Sequence, residues 1–155
     1  MGWRRGKAVT GVLVVFALMQ FYQPKQGAGE PTAQPQSIDA VYKVPMQVAR
    51  ILERSCYDCH SNTTDYPWYS YVQPVGWWLE GHISEGKEEL NFSTFGTYSK
   101  RRQASKLESV AGQVKKGSMP PESYALVHRD ARLTKEEVQA LTHWVRSLQD
   151  SLSVE

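Results

Sequence analysis

The sequence predicts an all-α protein, with one small helical domain behind an N-terminal apolar segment. Apolar residues recur every three or four positions in four separate stretches, which is the spacing of one helix face. No stretch alternates apolar and polar residues as a half-buried strand would. The 155 residues, less the N-terminal segment and a linker, suffice for one domain with one core.

The N-terminus has the pattern of an export segment. Arg4, Arg5 and Lys7 precede an uncharged, largely apolar run over residues 8–22. A basic start followed by an apolar run is typical of a secretory signal. The run is slightly shorter than a membrane-spanning helix, which needs about 20 residues. We therefore expect residues 1–24 to be a signal or an uncleaved anchor, with the basic end in the cytoplasm. Either interpretation places the rest of the chain on the extracytoplasmic, periplasmic side, anchored to the inner membrane or released there.

Residues 25–43 are predicted to be a flexible linker, because prolines stand among Gly, Gln, Ser and Thr with few large apolar side chains. The domain is expected at residues 44–150, and residues 151–155 form a tail. Lys and Arg outnumber Asp and Glu by 18 to 16, and three of the basic residues belong to the N-terminal segment. The domain itself is thus nearly neutral, which gives no electrostatic basis for nucleic-acid binding.

Two helices are predicted in the first half of the domain. The first covers residues 44–54, and Pro45 suits its first turn. The second begins at Pro74, and one stripe of it contains Val75, Trp78, Leu79, His82 and Ile83. The polar and aromatic segment between them, residues 61–71, is predicted to be a loop.

Two further helices follow. Residues 102–116 repeat apolar side chains at helical spacing, and Gly117 suits a left-handed cap. Thr134 and Glu137 form a capping box that opens a final helix, with Trp144 on its apolar edge. This last helix is expected to pack across the first one and close the domain.

The most specific motif is Cys56-Tyr57-Asp58-Cys59-His60, which contains both cysteines of the chain. Two thiols separated by two residues and followed by histidine form the attachment signature of a c-type haem. Both sulfurs would be bonded to porphyrin vinyl groups, and His60 would bind the iron. A structural zinc site usually has a second Cys or His pair at close spacing, and a dithiol redox centre is usually found near a βαβ unit. We therefore predict one covalent haem c.

Two residues are candidates for the opposite side of the iron. Met119 stands before two prolines at the start of a loop, as a soft sulfur on a stiffened segment. It is the first choice for the distal ligand. His82, on the apolar stripe of the second helix, is the alternative.

Aromatic side chains crowd the region after the motif and are candidates for the pocket wall, where ring donors could also satisfy haem propionates. They are Tyr66, Trp68, Tyr69, Trp77 and Trp78.

These motifs together resemble a family of small haem-binding domains in bacterial extracytoplasmic proteins, similar to single-haem cytochromes c. The resemblance covers about residues 44–148. It rests on residues 56–62, on 66–69, on 77–78 with His82, on 85–86 and 90–93, and on 117–120. It implies an all-helical, cytochrome c-like fold around one covalent haem, with Cys56 and Cys59 as attachment sites and His60 as the proximal ligand.

The function expected from these residues is one-electron transfer between redox partner proteins, since two protein ligands on the iron would keep substrates away from it. We expect an electron carrier rather than an enzyme. A peroxidase-like enzyme with an open distal site, or a haem-based redox or gas sensor, are the alternative functions.

Overall fold

The computed structural model describes residues 2–24 and 34–153. All regular structure in these residues is helical, so the all-α prediction is confirmed. Met1, residues 25–33 of the predicted linker and residues 154–155 of the predicted tail lie outside the described residues. The α-helices are α1 (Gly2–Met19), α2 (Ile38–Val41), α3 (Met46–Ser55), α4 (Tyr57–His60), α5 (Val75–Glu89), α6 (Lys100–Lys116), α7 (Glu122–Val127) and α8 (Lys135–Ser153). Short 3₁₀ helices occur at Trp68–Tyr71, Phe92–Thr97 and Arg129–Ala131.

The core lies between α3, α6 and α8. Helices α6 and α8 pack along each other, and α3 packs against α8, as predicted for the closing helix. Phe95, Leu141 and Val145 have no exposed surface, and Trp144 is buried among them. This apolar interior fixes α3, which leads directly into the cysteine motif.

The predicted ends of α6 and α8 are confirmed. Gly117 follows α6 with a φ of 69°, in the left-handed region that favours glycine. At the start of α8, the backbone N–H of Thr134 donates to the carboxylate of Glu137 at 2.9 Å, and the N–H of Glu137 donates to the Thr134 hydroxyl at 3.2 Å. This reciprocal pair is the capping box read from the sequence.

Packed structure begins earlier than the sequence predicts. Ile38, inside the predicted linker, has no exposed surface and belongs to the core. Ser37 caps the short helix α2, where its hydroxyl accepts a hydrogen bond from the N–H of Ala40. The helix that holds Ile38 has only four residues, Ile38–Val41, which is too short for a helical repeat of apolar residues to mark it as a core element.

Helix α5 carries two apolar stripes where the sequence predicts one. Leu79 and Ile83 are buried. Val75, Trp78 and His82, which lie at positions i, i+3 and i+7 on a neighbouring stripe, remain exposed and line a cavity. The wide apolar sector therefore serves both the interior and a binding cavity.

The segment predicted to be a loop after His60 contains the 3₁₀ helix Trp68–Tyr71, which we call the aromatic turn. It packs against α5. Ser70 is buried inside it, whereas Trp68 and Tyr71 are exposed.

Every residue from 6 to 18 of α1 is exposed. Within residues 2–24 and 34–153, no helix combines the length and the apolar character needed to cross a membrane.

Candidate functional site

The cysteine motif occupies a break between two helices. Helix α3 ends at Ser55, Cys56 leaves the helical conformation with φ −132° and ψ −40°, and α4 then makes a single turn from Tyr57 to His60. Because the core holds α3, the motif has a fixed point of departure.

Helix α4 rests directly on α5 at Gly86. A Cβ atom at Gly86 would lie 2.7 Å from the carbonyl oxygen of Cys59, which is closer than side-chain carbons approach backbone. Only glycine therefore lets the two backbones meet at this distance. The contact brings His60 against the C-terminal end of α5.

The His60 ring is held by two backbone carbonyl groups. Its Nδ1 lies 2.8 Å from the carbonyl oxygen of Gly86 and 3.0 Å from that of Leu90. Carbonyl oxygens only accept hydrogen bonds, so Nδ1 must carry the proton. Nε2 is then the nitrogen that has a lone pair in the neutral imidazole, and none of the described residues hydrogen-bonds to it. A metal-binding histidine in proteins is oriented in this way, by a hydrogen bond from its other ring nitrogen.

The residues after His60 are tied to the segment that follows α5. The backbone N–H of Asn62 donates to the Ser93 hydroxyl at 2.9 Å, and the Asn91 amide donates to the Asn62 side-chain oxygen at 2.8 Å. Ser61 donates back to the carbonyl of Tyr57 at 2.7 Å, across α4. These bonds hold the exit of the motif, next to the contact of Cys59 with Gly86.

Three adjoining cavities, of about 250, 220 and 220 Å³, surround the motif. The first is lined by both cysteines and His60. The second continues on the Cys59 side towards α7, and the third on the Cys56 side towards α6. Their exposed lining is mostly apolar, which suits a large flat ligand with a hydrophobic body.

Both predicted distal residues reach this space. Met119 lines the first cavity and the one towards α6, and it shares both with His60. His82 lines the first cavity and the one towards α7. The Nδ1 of His82 lies 3.0 Å from the carbonyl oxygen of Trp78, which can only accept a hydrogen bond, so Nδ1 is the donor of this ring. Sequence reasoning therefore named two side chains that the fold brings to one place.

The predicted pocket aromatics divide into two groups. Tyr69 and Trp78 line the cavity towards α7. The other three are directed elsewhere: Tyr66 donates to Glu80 at 2.9 Å, Trp77 donates to the carbonyl of Tyr22 at 2.8 Å, and Trp68 is 78% exposed.

The two cysteines are half-buried. Burial, with a smaller contribution from Cys59, raises the pKa of Cys56 to about 12. Burial, with a smaller contribution from Asp58, raises the pKa of Cys59 to about 11. Both sulfurs are therefore neutral thiols at physiological pH, whereas dithiol redox centres depend on a lowered thiol pKa. The two cysteines are free and form no disulfide.

Residues outside the motif support it in ways the sequence did not reveal. Tyr124 of α7 donates to the carboxylate of Asp58, inside the motif, at 2.6 Å. Its ring stacks on His128 with 4.3 Å between centroids, and His128 in turn contacts the Tyr69 hydroxyl at 2.7 Å. These side chains link α7 to the motif and to the aromatic turn. No sequence spacing signals this linkage, because the partners are distant along the chain.

Comparison with known families agrees with this geometry. A family model described as a haem-binding domain matches residues 14–147, most of the chain. The chain belongs to this family. No curated protein and no solved structure matches the chain. The resemblance to a small haem-binding domain family drawn from the sequence is confirmed, and haem is the cofactor that the family supports.

The residues of this haem-binding domain fit the group. Haem iron takes its remaining bonds from protein ligands, and His60 lines the cavity with its Nδ1 engaged by backbone carbonyl groups, which leaves Nε2 as the nitrogen that could bind a metal. Ser55 is buried on the wall of the same cavity, and its hydroxyl oxygen has no hydrogen-bond partner. Within the described ranges, no three His, Cys, Asp or Glu side chains gather in an arrangement that could hold a bare metal ion.

Polar groups suited to the haem propionates stand on α6. Lys106, Ser109 and Gln113 are spaced three and four residues apart, so they share one face of the helix, and all three line the cavity towards α6. Lys106 is paired with Glu89 at 3.2 Å. The sequence had assigned this role to the aromatic residues instead.

Proposed function

We propose that this haem-binding domain holds one covalent haem c and works as a one-electron carrier. The observation that carries the proposal is the convergence of Cys56, Cys59, His60 and Met119 on one apolar space, with His60 Nδ1 held by backbone carbonyl groups. When bound, haem supplies one-electron chemistry through its ferric and ferrous states.

Cys56 and Cys59 are the attachment sites in this proposal. Each neutral thiol would add across one vinyl group: the S–H and C=C π bonds are consumed, and one C–S and one C–H bond form. The addition needs no oxidant, and it uses the protonated sulfurs that burial favours. Cys56, at the α3–α4 break, lines the α6 cavity, and Cys59, within α4, lines the α7 cavity.

His60 is the proximal ligand and Met119 the distal one. The carbonyls of Gly86 and Leu90 hold the imidazole in place and make it a better donor, as outer hydrogen bonds do for metal-bound histidines. Met119 is favoured over His82 because it shares two of the three cavities with His60. Histidine–methionine ligation gives a higher reduction potential than two histidines would.

Occupation of both axial positions by side chains is what favours electron transfer over catalysis, since substrates then have no access to the metal. Redox proteins on the same side of the membrane are the proposed partners. The apolar residues of α1 are exposed on all sides after a basic start, which is typical of a segment that leads a chain out of the cytoplasm and inserts into lipid. We therefore place the domain on the extracytoplasmic face, attached to the membrane through its N-terminal segment.

The distal ligand is tested by spectroscopy on the matured protein with the variants Met119→Ala and His82→Ala. The ferric wild type should show the near-infrared sulfur-to-iron charge-transfer band. Met119→Ala should lose the band and bind carbon monoxide when reduced, whereas His82→Ala should keep the band. Loss of the low-spin spectrum in His82→Ala alone would instead identify two-histidine ligation.

His82 also supports a second candidate function. It lies in the same cavity as His60, and its Nδ1 is engaged by the carbonyl of Trp78. In a peroxidase-like enzyme with an open distal side, such a group would serve as acid and base beside the substrate. Turnover with peroxide by the wild type, abolished in His82→Ala, would favour this function over electron transfer.

A further inference from the structure

The C-terminal end of α1 is clamped onto the start of α5. The side chain of Gln20 accepts a hydrogen bond from the N–H of Gln73 at 2.9 Å and donates to the carbonyl of Gln73 at 3.1 Å. Gln23 donates to the carbonyl of Tyr71 at 3.2 Å and accepts from the Gln73 amide at 2.8 Å. Trp77 donates to the carbonyl of Tyr22. Residues 20–23 therefore belong to the folded domain.

Gln73 is the centre of this clamp, and it has no exposed surface. Its side-chain oxygen accepts from the N–H of Trp77 at 3.0 Å, and its amide N–H₂ donates to Gln23. Removing residues 20–23 would leave the buried Gln73 amide without its partner, which is costly for a polar group away from water. The clamp thus gives α1 one defined exit from the domain.

An exposed aromatic surface adjoins that exit. Trp68 is 78% exposed and Tyr71 57% exposed, and they stand three residues apart in a 3₁₀ helix. That helix has three residues per turn, so both rings lie on the same side of the aromatic turn. Phe21 and Tyr22, at the end of α1, are 87% and 74% exposed. Gln23 joins the two groups through its bond to Tyr71.

The chemistry of this surface identifies its occupant. A protein partner would cover one stripe of α1, but the apolar side chains of residues 12–16 are exposed on every side of the helix. A helix that is apolar all round is suited to lipid. Trp and Tyr, with an apolar ring and one polar atom, are enriched where hydrocarbon meets water.

We propose that Trp68 and Tyr71, with Phe21 and Tyr22, rest the haem-binding domain on the surface of a lipid bilayer. The inference depends on the membrane attachment proposed above and adds an orientation to it. Tyr69, in the same turn, lines the cavity on the Cys59 side. That edge of the haem cavity then lies directly behind the surface that faces the bilayer.

The test uses the full chain with haem attached and unilamellar phosphatidylcholine vesicles. Hydroxyl-radical footprinting with mass spectrometry reports the oxidation of Trp68 and Tyr71 relative to Met46, which is 71% exposed at the start of α3. We expect vesicles to lower the oxidation of Trp68 and Tyr71 at least fivefold and to leave Met46 unchanged. Equal oxidation with and without vesicles, while the protein is vesicle-bound, would overturn the orientation alone.

Two double variants distinguish the contributions of the clamp and of the aromatic surface from membrane binding through α1 alone. Gln20→Ala/Gln23→Ala should still bind vesicles but lose the protection of Trp68. Trp68→Ser/Tyr71→Ser should release from vesicles roughly tenfold more readily, and the control Met46→Ser/Leu126→Ser should not. If the aromatic and control variants bind as tightly as the wild type, the surface does not contact lipid. If the wild type fails to bind vesicles at all, the membrane attachment itself is refuted.

A second copy of the chain is the competing occupant. Protection of Trp68 and Tyr71 without vesicles, together with a doubled mass in light scattering, would assign the surface to a dimer and overturn the proposal.

Discussion

Replacement of Gly86 by alanine should separate the haem motif from the helix that supports it. The new Cβ would lie 2.7 Å from the Cys59 carbonyl oxygen and 3.3 Å from its carbon, so backbone rather than a flexible side chain must move. Such overpacking costs about 1–3 kcal/mol. Displacement of α4 also weakens the 2.8 Å bond of His60, a loss of about 0.5–1.5 kcal/mol. The better helix propensity of alanine returns about 0.5–1 kcal/mol, which leaves a net loss on the order of 1–3 kcal/mol.

Gly81 provides a matched control in the same helix. It is exposed, and a Cβ atom there would meet nothing within 4 Å. Gly81→Ala should therefore stabilise the protein by about 0.5–1 kcal/mol. Denaturant unfolding of the haem-loaded protein measures both changes, and the yield of matured protein gives a second readout. Equal stability of Gly86→Ala and Gly81→Ala would refute the role of the close contact.

Two further predictions concern α6 and α8. Lys106→Gln removes a positive charge from the cavity and leaves Glu89 unpaired, and both changes favour the ferric state of the haem. The reduction potential should therefore fall by roughly 10–50 mV. An equal shift in Lys115→Gln, on the exposed end of α6, would contradict the assignment of Lys106 to the haem cavity. Glu137→Gln should cost about 0.3–1 kcal/mol at neutral pH, because glutamine can still accept from the Thr134 N–H but lacks the charge that the helix N-terminus and Arg54 stabilise. The Thr134 N–H and then Arg54 lower the pKa of Glu137. That stabilisation is present above the ordinary carboxyl pKa of 4.5 and is lost as the pH falls through the lowered folded-state value, so urea unfolding of wild type and variant should converge in acid. A constant difference down to acid pH would show that the charge of Glu137 is not its source.

Most of the helices could be predicted from local sequence patterns. The helix caps at Gly117 and at Thr134 with Glu137 were predicted because a cap depends on only a few adjacent residues. Ile38 was missed because its burial depends on a distant core, which no local pattern records. The aromatic turn was missed for a similar reason, since its packing on α5 decides its conformation.

The site, too, could be predicted only where it depends on adjacent residues. The spacing of Cys56, Cys59 and His60 marks the chemistry, but nothing near them indicates how the imidazole is oriented. That depends on Gly86 and Leu90, some 26 and 30 residues later. Three of the short segments that carry the family resemblance prove to be neighbours in space: residue 62 bonds to residues 91 and 93, and residue 86 contacts the backbone of residue 59. Their shared task is to hold the motif.

The central claim is that haem is bonded to Cys56 and Cys59. Acid–acetone extraction of the matured, purified protein tests it directly, followed by an absorption spectrum of the precipitated polypeptide. The colour should stay with the polypeptide in the wild type and pass into the solvent in Cys56→Ser/Cys59→Ser. Extraction of the haem from the wild type would show that the two thiols do not hold it.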